Sequence, residues 1–108
     1  DGESALDAAP LPRLVDLGSD KCIPCQRMAP ILAQLAEDYS HRLEVEVIDV
    51  REHPDATDDY GIRLIPTQIF YNAQGQELWR HEGFYDRASI LEKFDELGLP
   101  LGEPERRE

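Results

Sequence analysis

The chain has 108 residues, of which 41% are hydrophobic, and carries a net charge of −12. That length fits one small domain with a single core. The acidic balance excludes a surface built to hold nucleic acid or anionic lipid, since both need clustered Lys and Arg, and no apolar run approaches the ~20 residues of a membrane helix.

Residues 1–12 read as a lead-in, with Pro10 and Pro12 close together and one weak helical turn over Ser4 to Ala9. The chain opens on Asp1 rather than Met, which suggests a processed product whose leader or anchor would not be visible. Arg13 to Leu17 is a short apolar run, read as a strand. Gly18-Ser19-Asp20-Lys21 breaks it and leads into Cys22-Ile23-Pro24-Cys25. Met28, Ile31, Leu32, Leu35 and Tyr39 then recur at helical spacing, with Pro30 expected to kink the helix. Leu43, Val45 and Val47 alternate with Glu44 and Glu46, and Ile48 and Val50 continue the run, which predicts a strand passing from half-buried to buried.

A short helix is predicted over Asp55 to Tyr60, closed by Gly61. Thr67 to Tyr71 and Glu77 to Glu82 flank an Asn72-Ala73-Gln74-Gly75 turn and form a hairpin. Asp86 suits the cap of a last helix whose apolar face is Ile90, Leu91, Phe94 and Leu97. Phe70, Tyr71, Trp79 and Phe94 read as packing residues, and the acids between Asp49 and Asp59 as a solvated face. The domain is expected over residues 13–101, with 102–108 a mobile charged tail. Strands joined through a helix favour parallel pairing and the hairpin is antiparallel, so the expected class is α/β, with a mixed sheet of about four strands flanked by helices.

The chemistry sits at Cys22 and Cys25. They flank the start of a helix, where backbone N–H groups and the helix dipole stabilise a thiolate. Cys22 should face solvent and attack a substrate disulfide, and Cys25, one turn in, should resolve the mixed disulfide. Pro24 fits the first helical turn, where a missing N–H costs little, and Lys21 adds a nearby positive charge. Three other readings stay open on spacing alone. A structural disulfide closing so short a loop would contribute only about 2 kcal/mol. A zinc site needs about four ligands, and His41, His53 and His81 show no close His-x-His spacing. Inert thiols are the third. No metal or cofactor is expected.

The runs Val15-Asp16-Leu17, Cys22-Ile23-Pro24-Cys25 and Met28-Ala29-Pro30-Ile31-Leu32 resemble the thioredoxin family. So do Tyr60-Gly61-Ile62-Arg63 leading into Ile65-Pro66-Thr67, and Gly83 after the hairpin. The likeness covers about Leu14 to Leu97 and implies a thioredoxin fold acting on disulfides in protein clients. It further implies a cis peptide before Pro66, a client-contact patch of Ile23, Pro24, Ile65, Thr67 and Gly83, and Asp16 buried beneath Cys25 as its proton relay. Phe84 and Tyr85 are candidates to extend the patch. Where the family usually carries a Lys near this acid, the matching residue is Val47.

Lys21 replaces the family's Trp, Ile23-Pro24 replaces Gly-Pro, and Phe84 follows Gly83 where a small residue is common. The segment before Asp16 is short, so the family's first strand is expected to be missing or reduced. These departures are similar to thioredoxin-like domains that work outside the bacterial cytoplasm and take electrons from a membrane thiol reductase. These departures favour an extracytoplasmic place over a cytoplasmic one, and the chain is expected to be a monomer that works as a reductant. A non-catalytic module with a permanent disulfide, or an oxidase or isomerase, is the alternative.

Overall fold

The computed structural model describes residues 10–105. The helical turn expected over Ser4 to Ala9 and the last three residues of the tail lie outside the described residues. The elements run β1 (Arg13–Gly18), α1 (Ile23–Asp38), β2 (Glu44–Asp49), α2 (Ala56–Asp59), β3 (Thr67–Tyr71), β4 (Glu77–Glu82) and α3 (Arg87–Glu96). The four strands form one sheet in the order β2-β1-β3-β4. β1 pairs in parallel with β2, the strand reached through α1, while β1–β3 and β3–β4 are antiparallel. This is the mixed α/β sheet that the element order predicts.

Alternation along each strand sorts side chains between two cores. Leu14 and Phe70 face α1 and α3, packing with Met28, Leu32, Leu35, Ile90 and Phe94. Val15, Leu17 and Ile69 point to the other face, with Ala56 of α2. In α1 the buried Cys25, Met28, Leu32 and Leu35 recur at three- and four-residue steps and so make one stripe. The helix continues through Pro30, whose missing N–H deprives the Gln26 carbonyl of its helical donor. Asp86 caps α3 by accepting the Ser89 N–H at 2.8 Å, and Arg87 bridges to Asp38 of α1 at 3.0 Å.

One expectation needs correction. β2 does not become buried along its length: Val47 is 61% exposed. Among the described residues nothing pairs with the outer edge of β2, so its later residues lack cover on that side. The first part of the tail, as far as Glu105, makes hydrogen bonds to the segment that follows α1. Arg42 donates to the carbonyls of Leu101 and Glu103. The Glu105 carboxylate accepts from Ser40 Oγ and the His41 N–H, both at 3.0 Å.

Candidate functional site

Leu17 of β1 faces Thr67 of β3, which faces Glu82 of β4. The end of β1, the start of β3 and the end of β4 therefore lie at one end of the sheet. The turn 19–22, the loop 61–66 and Gly83–Phe84 all emerge there, which is how residues distant in sequence come to surround one site.

In the turn, Ser19 Oγ accepts the Lys21 N–H at 3.1 Å and the Ser19 carbonyl accepts the Cys22 N–H at 3.3 Å. The chain is thereby aimed into α1 with Cys22 as its N-cap. Cys22 Sγ accepts the Cys25 N–H at 3.3 Å, so one of the orphan donors of the helix end points at this sulfur. The same bond would stabilise a Cys22 thiolate. Pro24 sits in the first turn, where no N–H is required. The two cysteines form a disulfide with their Cα atoms 5.1 Å apart. Cys22 is half-buried and Cys25 is 8% exposed, so the first sulfur is the more open of the two.

Gly18 lets β1 pass beneath the disulfide. A Cβ there would stand 2.9 Å from Cys25 Sγ and 3.5 Å from Asp16 Oδ1, so any side chain would press on the sulfur. Asp16 is 3% exposed, in a strand buried on both faces. Burial, which disfavours its charged form, raises its pKa from the ordinary 3.8 to about 6, and a hydrogen bond from Gln68 works in the opposite direction. Gln68 Nε2 donates to Asp16 Oδ2 at 3.0 Å. An apolar cavity of about 370 Å³ opens beside the acid, between Cys25 and Leu32 of α1 and Val47 of β2. Val47 lies directly across from Asp16 in the register, so the wall that β2 turns toward the acid is hydrocarbon.

In the loop that leads into β3 the peptide Ile65–Pro66 is cis, as the resemblance implies. Gly83, at φ +99°, donates its N–H to the Pro66 carbonyl at 2.7 Å, so the two loops are bonded to each other. Only glycine adopts that φ without strain. Ile23 is 65% exposed, Ile65, Pro24 and Gly83 are half-buried, and Lys21 is exposed. Thr67, expected among the contact residues, is fully buried, and its hydroxyl donates to the Leu64 carbonyl at 2.7 Å. It braces the loop from within, because β3 turns inward immediately after buried Pro66. Leu64, which the sequence pattern did not single out, is exposed beside Ile65. Phe84 lies under the Arg27 guanidinium at 4.3 Å, whereas Tyr85 stacks on His81 at 4.0 Å and belongs to the core. Among the described residues no group of three or more His, Cys, Asp or Glu could hold a metal ion, and no helix is long and apolar enough to cross a membrane.

Gln68, bonded to the buried acid, is a residue of the site that the sequence reading does not single out. Its only signal is an amide next to Ile69 and Phe70 in a strand with no polar neighbour but Thr67.

The sequence model of the thioredoxin family matches residues 3–96. A thioredoxin-like protein of Synechocystis is 35% identical over 88 residues, covering 82% of this chain and 83% of that protein. A thioredoxin of Acidithiobacillus ferridurans is 40% identical over 62 residues, 57% of each chain. Among solved structures, chloroplastic thioredoxin z superposes with a TM-score of 0.73 at 31% identity, covering 91% of this chain and 90% of that one. Thioredoxin-2 of the malaria parasite gives 0.74 at 14% identity, a likeness of fold alone.

Proposed function

The chain belongs to the thioredoxin family, and from that premise we propose that it reduces disulfides in protein clients, with Cys22 as nucleophile and Cys25 as resolving thiol. Family membership together with the Cys22–Cys25 pair supports thiol–disulfide oxidoreduction in general. The observation that carries the finer reading is the asymmetry of the pair. The half-exposed Cys22 sulfur accepts a helix-terminal N–H, while Cys25 is buried beside a buried acid.

In the reduced protein the Cys22 thiolate attacks one sulfur of a client disulfide. The client S–S bond breaks, one client sulfur leaves as a thiolate, and a Cys22–client disulfide forms. Cys25 then gives its proton to Asp16, and its thiolate attacks Cys22 Sγ. The second client sulfur leaves, and the Cys22–Cys25 disulfide closes. Two electrons have passed from the dithiol to the client, and a dithiol reductase must return them before the next turnover. The patch of Ile23, Leu64, Ile65 and Gly83 suits an extended client segment laid across the dithiol, in the manner of strand addition.

Two experiments test this. Catalytic amounts of protein should accelerate insulin reduction by dithiothreitol. No acceleration would leave a non-catalytic module with a permanent disulfide. Cys25→Ser should trap a mixed disulfide with a client while Cys22→Ser does not, and equal trapping by both would overturn the assignment of roles.

A further inference from the structure

Gln68 lies fully buried in the middle strand pair of the sheet. Burial of an amide is unfavourable unless its polar atoms are bonded, and this one is bonded unevenly. Nε2 donates twice, to Asp16 Oδ2 and to the Gly83 carbonyl, each at 3.0 Å, whereas Oε1 has no partner among the described residues. Both neighbours of the nitrogen are acceptors when Asp16 is ionised, so the amide must present N–H to them. The Gly83 carbonyl can never become a donor, so it holds that orientation when Asp16 changes charge.

We propose that Gln68 is a positioning residue for the buried acid, holding the Asp16 carboxylate with Oδ1 toward Cys25 and tying that orientation to Gly83 at the client face. This rests on the reading of Asp16 as the proton acceptor for Cys25. An oxygen that accepts an N–H is a poor place for a proton, so Gln68 directs protonation away from Oδ2 and onto Oδ1. Oδ1 and Cys25 Sγ lie within 3.5 Å and 2.9 Å of the same point beside Gly18. In the resolving step the Cys25 S–H bond breaks, an O–H bond forms at Oδ1, and the freed thiolate attacks Cys22 Sγ as the client sulfur departs with its electron pair.

The groups around the acid do not supply an alternative influence of opposite charge. Cys25 and Gln26 face its cavity from α1, Asp20 from the turn, and Val47 and Asp49 from β2. Among the described residues no Lys, Arg or His lines it. The Gln68 bond is the influence, among the described residues, that opposes burial and lowers the pKa of the acid.

The test uses the oxidised protein, in which neither cysteine titrates. The ¹³C-carboxyl resonance of Asp16 should show an inflection near pH 6. In Gln68→Met, which keeps the length of the side chain and loses its N–H groups, that inflection should rise by about one pH unit or more. An acid moved up by one unit from about 6 is about half rather than almost wholly ionised at pH 7, so insulin reduction there should fall about two-fold, and Gln68→Met should add nothing in an Asp16→Asn background. An unmoved inflection would overturn the role of Gln68. A full reduction rate in Asp16→Asn would instead remove the proton relay beneath it, so the two failures are distinct. If Gln68→Met does not fold, the Gln68 side-chain amide of the unsubstituted protein serves as the probe. Its proton resonances should titrate with the Asp16 midpoint and stop doing so in Asp16→Asn, and an amide that ignores pH would end the proposal.

Discussion

Two neighbouring rows of side chains cross the same face of the sheet, two residues apart along every strand. One is Val45–Leu14–Phe70–Trp79 and the other is Val47–Asp16–Gln68–His81, each set by the pairings β2–β1, β1–β3 and β3–β4. The first row is hydrocarbon and aromatic and packs against α1 and α3. The second has the same backbone register and the same helix above it, yet it holds a carboxylate, an amide and an imidazole. Gln68 Nε2 donates to the Gly83 carbonyl and His81 Nε2 to the Phe84 carbonyl at 3.1 Å, so the polar row ends by holding two successive carbonyls of the segment after β4. One row holds the fold together, and the next sacrifices stability to set an acid beneath the disulfide.

The largest expected effect lies in the apolar row. Phe70 is fully buried, with its ring centroid 4.8 Å from that of Phe94 and 5.5 Å from that of Trp79. Phe70→Ala should cost about 3–5 kcal/mol in urea unfolding, from lost burial and a cavity that α1 and α3 cannot close. The Asp16 inflection should stay near pH 6. A cost below about 1 kcal/mol, or a displaced inflection, would show that the two rows are not the separate devices their chemistry suggests.

In the polar row the sign reverses. Asp16 ionises at about 6 in the fold against 3.8 ordinarily. A raised acid makes no demand on the fold below the lower value, where it is neutral in both states. Its penalty grows as pH rises through that window and is complete above about 6, where it amounts to about 3 kcal/mol. Asp16→Asn keeps an acceptor for Gln68 and removes the charge. It should therefore stabilise the oxidised protein by up to about 3 kcal/mol at pH 8 and leave it little changed at pH 3, while slowing mixed-disulfide resolution. Equal effects on stability at both pH values would mean that the carboxylate is well solvated.

How much of this was legible in the sequence follows the range over which each feature is decided. Cys22 and Cys25 and the limits of β3 and β4 rest on spacing and turn chemistry within a few residues, and these are read directly. The burial of Asp16, and Pro66 beside the dithiol, came from the resemblance, since an acid in a short apolar run reads equally as an exposed strand end. Gln68 was missed because its meaning depends on a partner in another strand, which only the β1–β3 register supplies. The exposure of Val47 was misjudged for a related reason: alternation tells which face a residue takes, not whether its strand is at an edge.

Val47 supplies the smallest and sharpest test of the difference between the rows. It is the member of the polar row that carries no polar atom, and it lines the cavity beside Asp16 from directly across the register. Val47→Lys would place a flexible stem along the apolar wall with the ammonium group free to reach water, since the position is 61% exposed. An opposite charge favours the ionised acid, so the Asp16 inflection should move down from about 6. Solvent screening at so open an edge limits the effect to about 1 kcal/mol or less, under about one pH unit. The stability of the oxidised protein at pH 8 should rise by the same small amount, because the penalty on the charged carboxylate is what the lysine relieves. Added salt should erase most of the gain. The two readouts must move together: stabilisation without a lower inflection would place the lysine away from the acid, and an inflection that does not move at low salt would mean that the cavity leaves Asp16 beyond the reach of charge on β2.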